Sequence, residues 1–282
     1  MNKQSLFVGI IILSACCAPA VWSDHSPKAM AGQVADNADR VNPAPVFSDR
    51  HSLSTEQAYQ IQTMAVKRRL GNISPAGFKA GLTSSSSQQK FGVTTAVAGV
   101  LMPGGLIAAE EGRFVVSSQT YNTLMMEAEL GFRLNVAVKQ PITDIASLKL
   151  MVAKVLPVVE LPDLSFDKPD LLKGVDIIAN NVVAKRYITG VEILLAGQDL
   201  NDLGIEVHKE GDLLLEGDSS DAMGDQWQAL LWLVNQTVAN GWEIEPGQLL
   251  ITGAIGRMLP ASIGFYQVSY GALGHIDFYV EE

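Results

Sequence analysis

From Met126 to Val138 every even-numbered residue is apolar: Met126, Ala128, Leu130, Phe132, Leu134, Val136 and Val138. The odd positions between them include Glu127, Glu129, Arg133 and Asn135. Alternation with period two is the pattern of a strand with one apolar face. It places Glu127 and Glu129 on the other face, about 7 Å apart by strand rise. Two carboxylates that close repel each other unless water, a cation or a proton lies between them. Alone, the pair fits a solvated strand face, with Arg133 as a partial neutraliser.

The chain has 282 residues, 48% of them apolar, enough for a real core in one large domain or two small ones. Twenty Lys and Arg stand against 30 Asp and Glu, for a net charge of −10. That balance argues against nucleic acid or an anionic membrane surface as partner and suits a protein that handles small molecules or a cation. Both cysteines, Cys16 and Cys17, lie near the start of the chain. The body therefore has neither a disulfide nor a thiol nucleophile.

Lys3, the apolar run Leu6 to Leu13, and the small residues Ser14 to Ala18 form the pattern of a secretory signal over residues 1–23. The run is too short to span a bilayer. Leu13-Ser14-Ala15-Cys16 also resembles a bacterial lipobox, which would place a lipid on Cys16. These features predict an exported protein, periplasmic or secreted. Residues 24–52 are polar and small, with Pro27, Pro43 and Pro45, and read as a tether. A single domain is expected over residues 53–282.

Within that domain, Ser54 and Gln57 form a capping-box pattern, and Ala58, Ile61, Met64, Ala65 and Leu70 follow at helical spacing. Lys67-Arg68-Arg69 and then Gly71 close that helix. Gly77 to Thr83 reads as a short strand, on which Lys79 alone would be an ordinary surface lysine. Val97 to Leu106 reads as a strand ending in a turn. Asp144 with Leu148 to Val155 predicts an amphipathic helix ended by Pro157. Glu160 sits in an apolar run, where a buried carboxylate needs a partner. Val191 to Ile205 reads as strand and turn. Asp221 to Asn240 is a helix with Trp227 and Trp232 as core residues, Leu249 to Gly256 a strand running into a glycine loop, and Val268 to Val280 a hairpin. The sum is an α+β domain with few helices. It shows no Gly-x-Gly-x-x-Gly, Walker loop, His-x-x-x-His or Gly-x-Ser-x-Gly pattern, and with four histidines a zinc site or hydrolytic triad has little support.

Gly77-Phe78-Lys79-Ala80-Gly81-Leu82-Thr83-Ser84, Glu127-Ala128-Glu129, Leu156-Pro157-Val158-Val159-Glu160, Trp232-Leu233 and Leu250 to Met258 together resemble the 2-keto-4-pentenoate hydratases. Those enzymes belong to the fumarylacetoacetate hydrolase superfamily, beside the 2-oxo-3-hexenedioate decarboxylases. The resemblance runs in order from about Leu53 to the C-terminus. It implies that superfamily's mixed β-sandwich roll with a few flanking helices, as a homo-oligomer. It also implies a divalent cation, Mg²⁺ or Mn²⁺, on Glu127, Glu129 and Glu160, with Lys79 catalytic. By the same resemblance a small 2-oxo acid substrate would lie against Leu82, Asn181, Thr252 and Gly253.

The chemistry agrees with that carry-over. Three carboxylates suit a hard cation and suit zinc or copper poorly. The implied reaction adds water to a 2-hydroxy-2,4-dienoate, or its 2-oxo-4-enoate tautomer, through a metal-bound dienolate. Lys79 would move protons or hold the substrate carboxylate, with its pKa lowered by burial or by the cation.

Three positions depart from the pattern. Val97 stands where the hydratases carry an acid, Met125 where an arginine precedes the glutamate pair, and Asn180-Asn181-Val182-Val183 where Asp-Asn-x-Ser is usual. A valine transfers no proton. Two further readings therefore stand beside the hydratase: decarboxylation or C–C hydrolysis of a related 2-oxo acid, and an exported protein that binds a 2-oxo acid without turning it over.

Overall fold

The structure is a computed structural model that describes residues 26–38, 41–195, 197 and 199–282. The signal segment and Cys16 lie outside the described residues.

The alternating stretch forms β4, Met125–Leu134, at the centre of a seven-stranded sheet. On one side β4 pairs antiparallel with β5, Val152–Leu161, placing Glu127 opposite Glu160 and Glu129 opposite Val158. On the other it pairs with β9, Leu249–Ile251. Beyond β9 come β1, Gly77–Gly81, running parallel to it, and β2, Val97–Leu101, with Lys79 beside Ile251 and Gly99. The far side of β5 carries β6, Arg186–Thr189, and the short β10, Leu259–Pro260, pairs with the start of β4. The sheet does not stay open. Tyr187 of β6 donates its N–H to Gly105 O and accepts at its carbonyl from Ile107 N, both at 2.9 Å. Residues 105–107 follow β2 through one turn, so the two edges meet and the sheet rolls.

The roll sorts its side chains by parity. Phe78, Val100, Met126, Leu130, Phe132, Val159 and Leu250 point outward into the main core. There they meet α6, Gln226–Ala239, and a five-stranded sheet in the order β3 (Phe114–Ser117), β12 (His275–Glu281), β11 (Gly264–Ser269), β7 (Gly204–Lys209), β8 (Asp212–Asp218). Leu101, Leu156, Val158, Tyr187, Leu249 and Ile251 form a separate inner cluster. That interior is tight. A Cβ on Gly131 would stand 2.7 Å from Val158 Cγ2 and 2.9 Å from Leu249 Cδ1.

Two expectations about elements change. The helix expected through Val155 stops early: α4 is Ile145–Met151, and Val152 already belongs to β5. The β-branched run Val152, Val155, Val158, Val159 favours the pleated conformation. Pro157 lies inside β5 and ends nothing. Its nitrogen faces the β6 side, where the ladder only begins at Val158, so no ladder donor is missed. Between 191 and 203 there is no strand among the described residues, only a bridge from Ile193 to Val155.

The segment expected to be a tether is instead part of the body. Ser26 caps α1, Pro27–Asn37, with Pro27 at its first position. Met30, Ala31, Val34 and Ala35 pack against Ala58, Ile61 and Ala65 of α2, Thr55–Leu70. The following residues are hooked by Asp176, which is fully buried in α5, Gly174–Ala179. Its carboxylate accepts from Phe47 N at 2.8 Å, Ser48 N at 2.9 Å and Ser48 Oγ at 2.6 Å. Four small or apolar residues at helical spacing were enough to dock a segment that is polar on average.

Candidate metal centre

The odd positions of β4 face into the roll, not into water. Glu129 and Glu160 are completely buried, Glu127 is half-buried, and one carboxylate oxygen from each lies within 4.8 Å of the others. Lys79 is 1% exposed, and its Nζ stands 2.5 Å from Glu160 Oε2. The same ammonium donates to Val182 O at 3.2 Å. Glu129 Oε2 accepts from Gly253 N at 2.7 Å. The remaining oxygens, Glu129 Oε1 and Glu160 Oε1, are buried without a hydrogen-bond partner.

Electrostatics follow from that crowding. Removal from water pushes the Glu127 carboxyl up to about 8; the Lys79 charge opposes the shift and that of Glu160 adds to it. Burial, then the charges of Glu160 and Glu127, hold Glu129 well above the ordinary carboxyl range. For Lys79, burial would depress the pKa, but Glu160, Glu127 and Glu129 together outweigh it and raise it. In the cation-free protein the expectation that burial lowers the lysine pKa is therefore reversed. Lys79 rests as an ammonium held by carboxylates.

The donor set fits a hard divalent cation: three carboxylates, all oxygen, and two buried oxygens with no hydrogen-bond partner among the described residues.

Neighbouring groups hold the cradle in place. Gly253 has φ +102°, and a Cβ there would stand 2.4 Å from Thr83 Cγ2, so only glycine lets the N–H reach Glu129. Thr252 Oγ1 donates to Gln226 Oε1 at 2.6 Å, which ties the loop after β9 to the start of α6. Tyr270 Oη donates to Val158 O at 2.5 Å, and burial drives its hydroxyl pKa up. Sequence reasoning missed Gln226 and Tyr270, because a glutamine at a helix start and an aromatic near a hairpin carry no signal of their own.

Of the expected site residues, Lys79, Glu127, Glu129, Glu160 and Gly253 come together. Thr252 stands one layer behind, on Gln226. Asn181 is spent structurally: its amide accepts from Val100 N and donates to Val100 O, each at 2.8 Å. Leu82 follows β1 with a left-handed backbone, φ +50°, and its carbonyl is taken by Gln88 Nε2. Three consecutive left-handed residues, Asn181 (φ +57°), Val182 (+51°) and Val183 (+50°), turn the Val182 carbonyl toward Lys79. Two β-branched residues in that region are strained, and such strain concentrates at functional sites.

No family model matches the chain. It is 27% identical over 224 residues to a 4-oxalocrotonate decarboxylase of Pseudomonas sp. (strain CF600), covering 78% of this chain and 82% of the relative. It is 26% identical over 251 residues to 2-keto-4-pentenoate hydratase 1 of Dechloromonas aromatica (strain RCB), covering 86% and 92%. Among solved structures, the 4-oxalocrotonate decarboxylase from Pseudomonas putida G7, complexed with magnesium and adipate, superposes with a TM-score of 0.82 at 23% identity, over 90% of this chain and 97% of that one. The fold is that of the fumarylacetoacetate hydrolase superfamily. The mixed roll with few helices expected of that superfamily is what the chain forms.

The expected location is corrected by the same comparisons. The relatives that match the body of this chain are named as 4-oxalocrotonate decarboxylases and 2-keto-4-pentenoate hydratases, and they give no support to reading it as exported, periplasmic or secreted. Among the described residues no helix is long and apolar enough to cross a membrane.

Proposed function

We propose that this chain is a divalent-cation-dependent lyase of small 2-oxo acids. Its reaction is the addition of water to a 2-hydroxy-2,4-dienoate. Glu127, Glu129 and Glu160 would hold Mg²⁺ or Mn²⁺, and Lys79 would carry the proton. The observation behind the reading is the convergence of three carboxylates and one ammonium, with Glu129 Oε1 and Glu160 Oε1 buried and unsatisfied. Relatives that are hydratases and decarboxylases support the reaction class.

A bound cation would act as a Lewis acid, drawing negative charge onto the oxygen of a chelating 2-oxo acid. The protein's part is proton handling and orientation of the substrate. Lys79 Nζ, kept protonated by its carboxylate neighbours, would give a proton to the far carbon of the diene. The proton lost from the enol hydroxyl restores it, and the product of that exchange is the 2-oxo-3-enoate. Water then adds across the 3,4-double bond, hydroxyl to C4 and proton to C3, which gives the 4-hydroxy-2-oxo acid. Glu160 Oε2, 2.5 Å from Nζ, aims the lysine, and the Gly253 N–H fixes Glu129.

A second reading rests on the decarboxylase relatives: loss of carbon dioxide from a related 2-oxo diacid, which needs no group to guide water. One assay separates the two. Purified protein with Mg²⁺ is incubated with 2-hydroxypenta-2,4-dienoate and its ultraviolet absorbance followed. Hydration removes the absorbance without carbon dioxide; an unchanged spectrum with the cation bound would overturn the hydratase.

A further inference from the structure

The wall beside Lys79 is buried and apolar. Lys79, Gly81, Val97 and Gly99 lie on one face of paired strands, with Gly81 opposite Val97 and Lys79 opposite Gly99. The side chain of Val182 closes over them. A Cβ on Gly81 would come within 2.6 Å of Val182 Cγ1 and 3.6 Å of Val97 Cγ2. One on Gly99 would come within 3.0 Å of Val182 Cβ and 3.1 Å of Lys79 Cγ. Val97 is 2% exposed and Val182 3%, and both belong to an apolar cluster with Ile178, Ala179, Leu82 and Phe91. Among the described residues Lys79 is the only buried cation, and Glu160 already holds it.

We infer that Val97 and Val182 set specificity for the far end of the substrate, so that the site takes a 2-oxo acid with an uncharged, apolar tail and rejects the matching diacid. The inference rests on the proposed cation-dependent reading of Glu127, Glu129 and Glu160. With the 2-oxo acid head at those carboxylates and Lys79 reaching the far carbon, the tail lies along the valine wall. A second carboxylate there would leave water for two valines, with three glutamates nearby, and the ammonium beside it, Lys79, is already paired with Glu160. An alkyl or vinyl tail meets the wall at no such cost and gains by burial. Position 97 thereby acts on the choice of reaction. A site that excludes the diacid tail favours hydration of a monoacid over decarboxylation of a diacid. The strained turn at residues 181–183 serves the same end, holding Val182 over Gly81 and Gly99 while its carbonyl takes the lysine.

The test compares two ligands of equal chain length and identical head, 2-oxopentanoate and 2-oxopentanedioate. Each is titrated calorimetrically into the full chain after Mg²⁺ binding alone has been measured. The monoacid is expected to bind about a hundredfold more tightly. Val97→Lys, which places an ammonium in the wall, is expected to narrow that gap at least about tenfold. Equal or tighter binding of the diacid to the wild type, or carbon dioxide released from a bound diacid, would overturn the specificity while leaving the cation site standing. If Mg²⁺ binds and neither acid does, the 2-oxo acid reading falls and the inference with it. An unchanged gap in Val97→Lys would remove Val97 as the determinant; because the wild-type comparison needs no variant, poor folding of Val97→Lys cannot shelter the claim.

Discussion

Glu129 and Glu160 each keep one carboxylate oxygen buried without a hydrogen-bond partner, and among the described residues the buried cation is the ammonium of Lys79. Lys79→Met would leave three carboxylates together with no positive charge. Removing one partner of a buried pair costs about 3–5 kcal/mol. Denaturant unfolding of the cation-free variant should show a loss of that size, much of it recovered by added Mg²⁺, together with loss of turnover. The raised carboxyls make a second prediction. Glu127 titrates near 8 in the folded chain against an ordinary 4.5, and Glu129 is shifted the same way. The folded state thus binds protons that the unfolded chain has released. Their stabilising contribution is complete below about 4.5 and is lost as pH rises through about 8. With a chelator present, Tm should fall from about pH 5 to pH 8; saturating Mg²⁺, which takes the place of those protons, should flatten the fall. A Tm independent of pH in the chelated protein would contradict the buried cluster. At this scale the sequence showed which residue types meet but not the sign of the lysine shift. Burial and three carboxylates pull on Lys79 in opposite directions, and only their geometry decides.

The elements differ in how plainly the chain announces them. β4 is legible because its even residues are uniformly apolar, and α2 because Ser54 and Gln57 cap it as their spacing predicts. The burial of the odd face of β4 was not legible. Alternation tells which residues share a face, whereas closure of the sheet through Gly105, Tyr187 and Ile107 determines what covers it. Nor does any pattern announce left-handed backbone at Val182 and Val183, since valine is among the residues least expected there. α1 escaped notice because four small or apolar residues are a faint signal in a polar stretch. The rolled sheet also explains why glycine recurs on its inner face. Gly131→Ala would press a methyl into Val158 and Leu249, and overpacking of this kind costs about 1–3 kcal/mol. Chemical denaturation should show that loss. A variant as stable as wild type would mean that the roll is looser than its contacts imply.

In the whole molecule, one face of a rolled sheet carries the glutamate–lysine cluster and the other joins the main core. The outward residues of β4 and β5 join the five-stranded sheet and α6, and the inward ones hold the carboxylates where water is scarce. The N-terminal hook completes the body by packing α1 on α2 and fastening residues 47 and 48 to Asp176. Asp176→Ala should make the segment from 41 to 52 sensitive to protease while leaving cation affinity unchanged, because Asp176 stands outside the carboxylate cluster. The fold class was open to the sequence through motifs in order along the chain; the docking of the first described helix and the dryness of the glutamate face belong to packing. The central claim is that Glu127, Glu129 and Glu160 hold a divalent cation. Calorimetric titration of Mn²⁺ or Mg²⁺ into wild type and Glu129→Ala tests it most directly. Affinity should drop at least about tenfold in the variant, since losing a ligand should cost no less than losing an outer-shell partner. Equal affinities in the two proteins would contradict the metal centre.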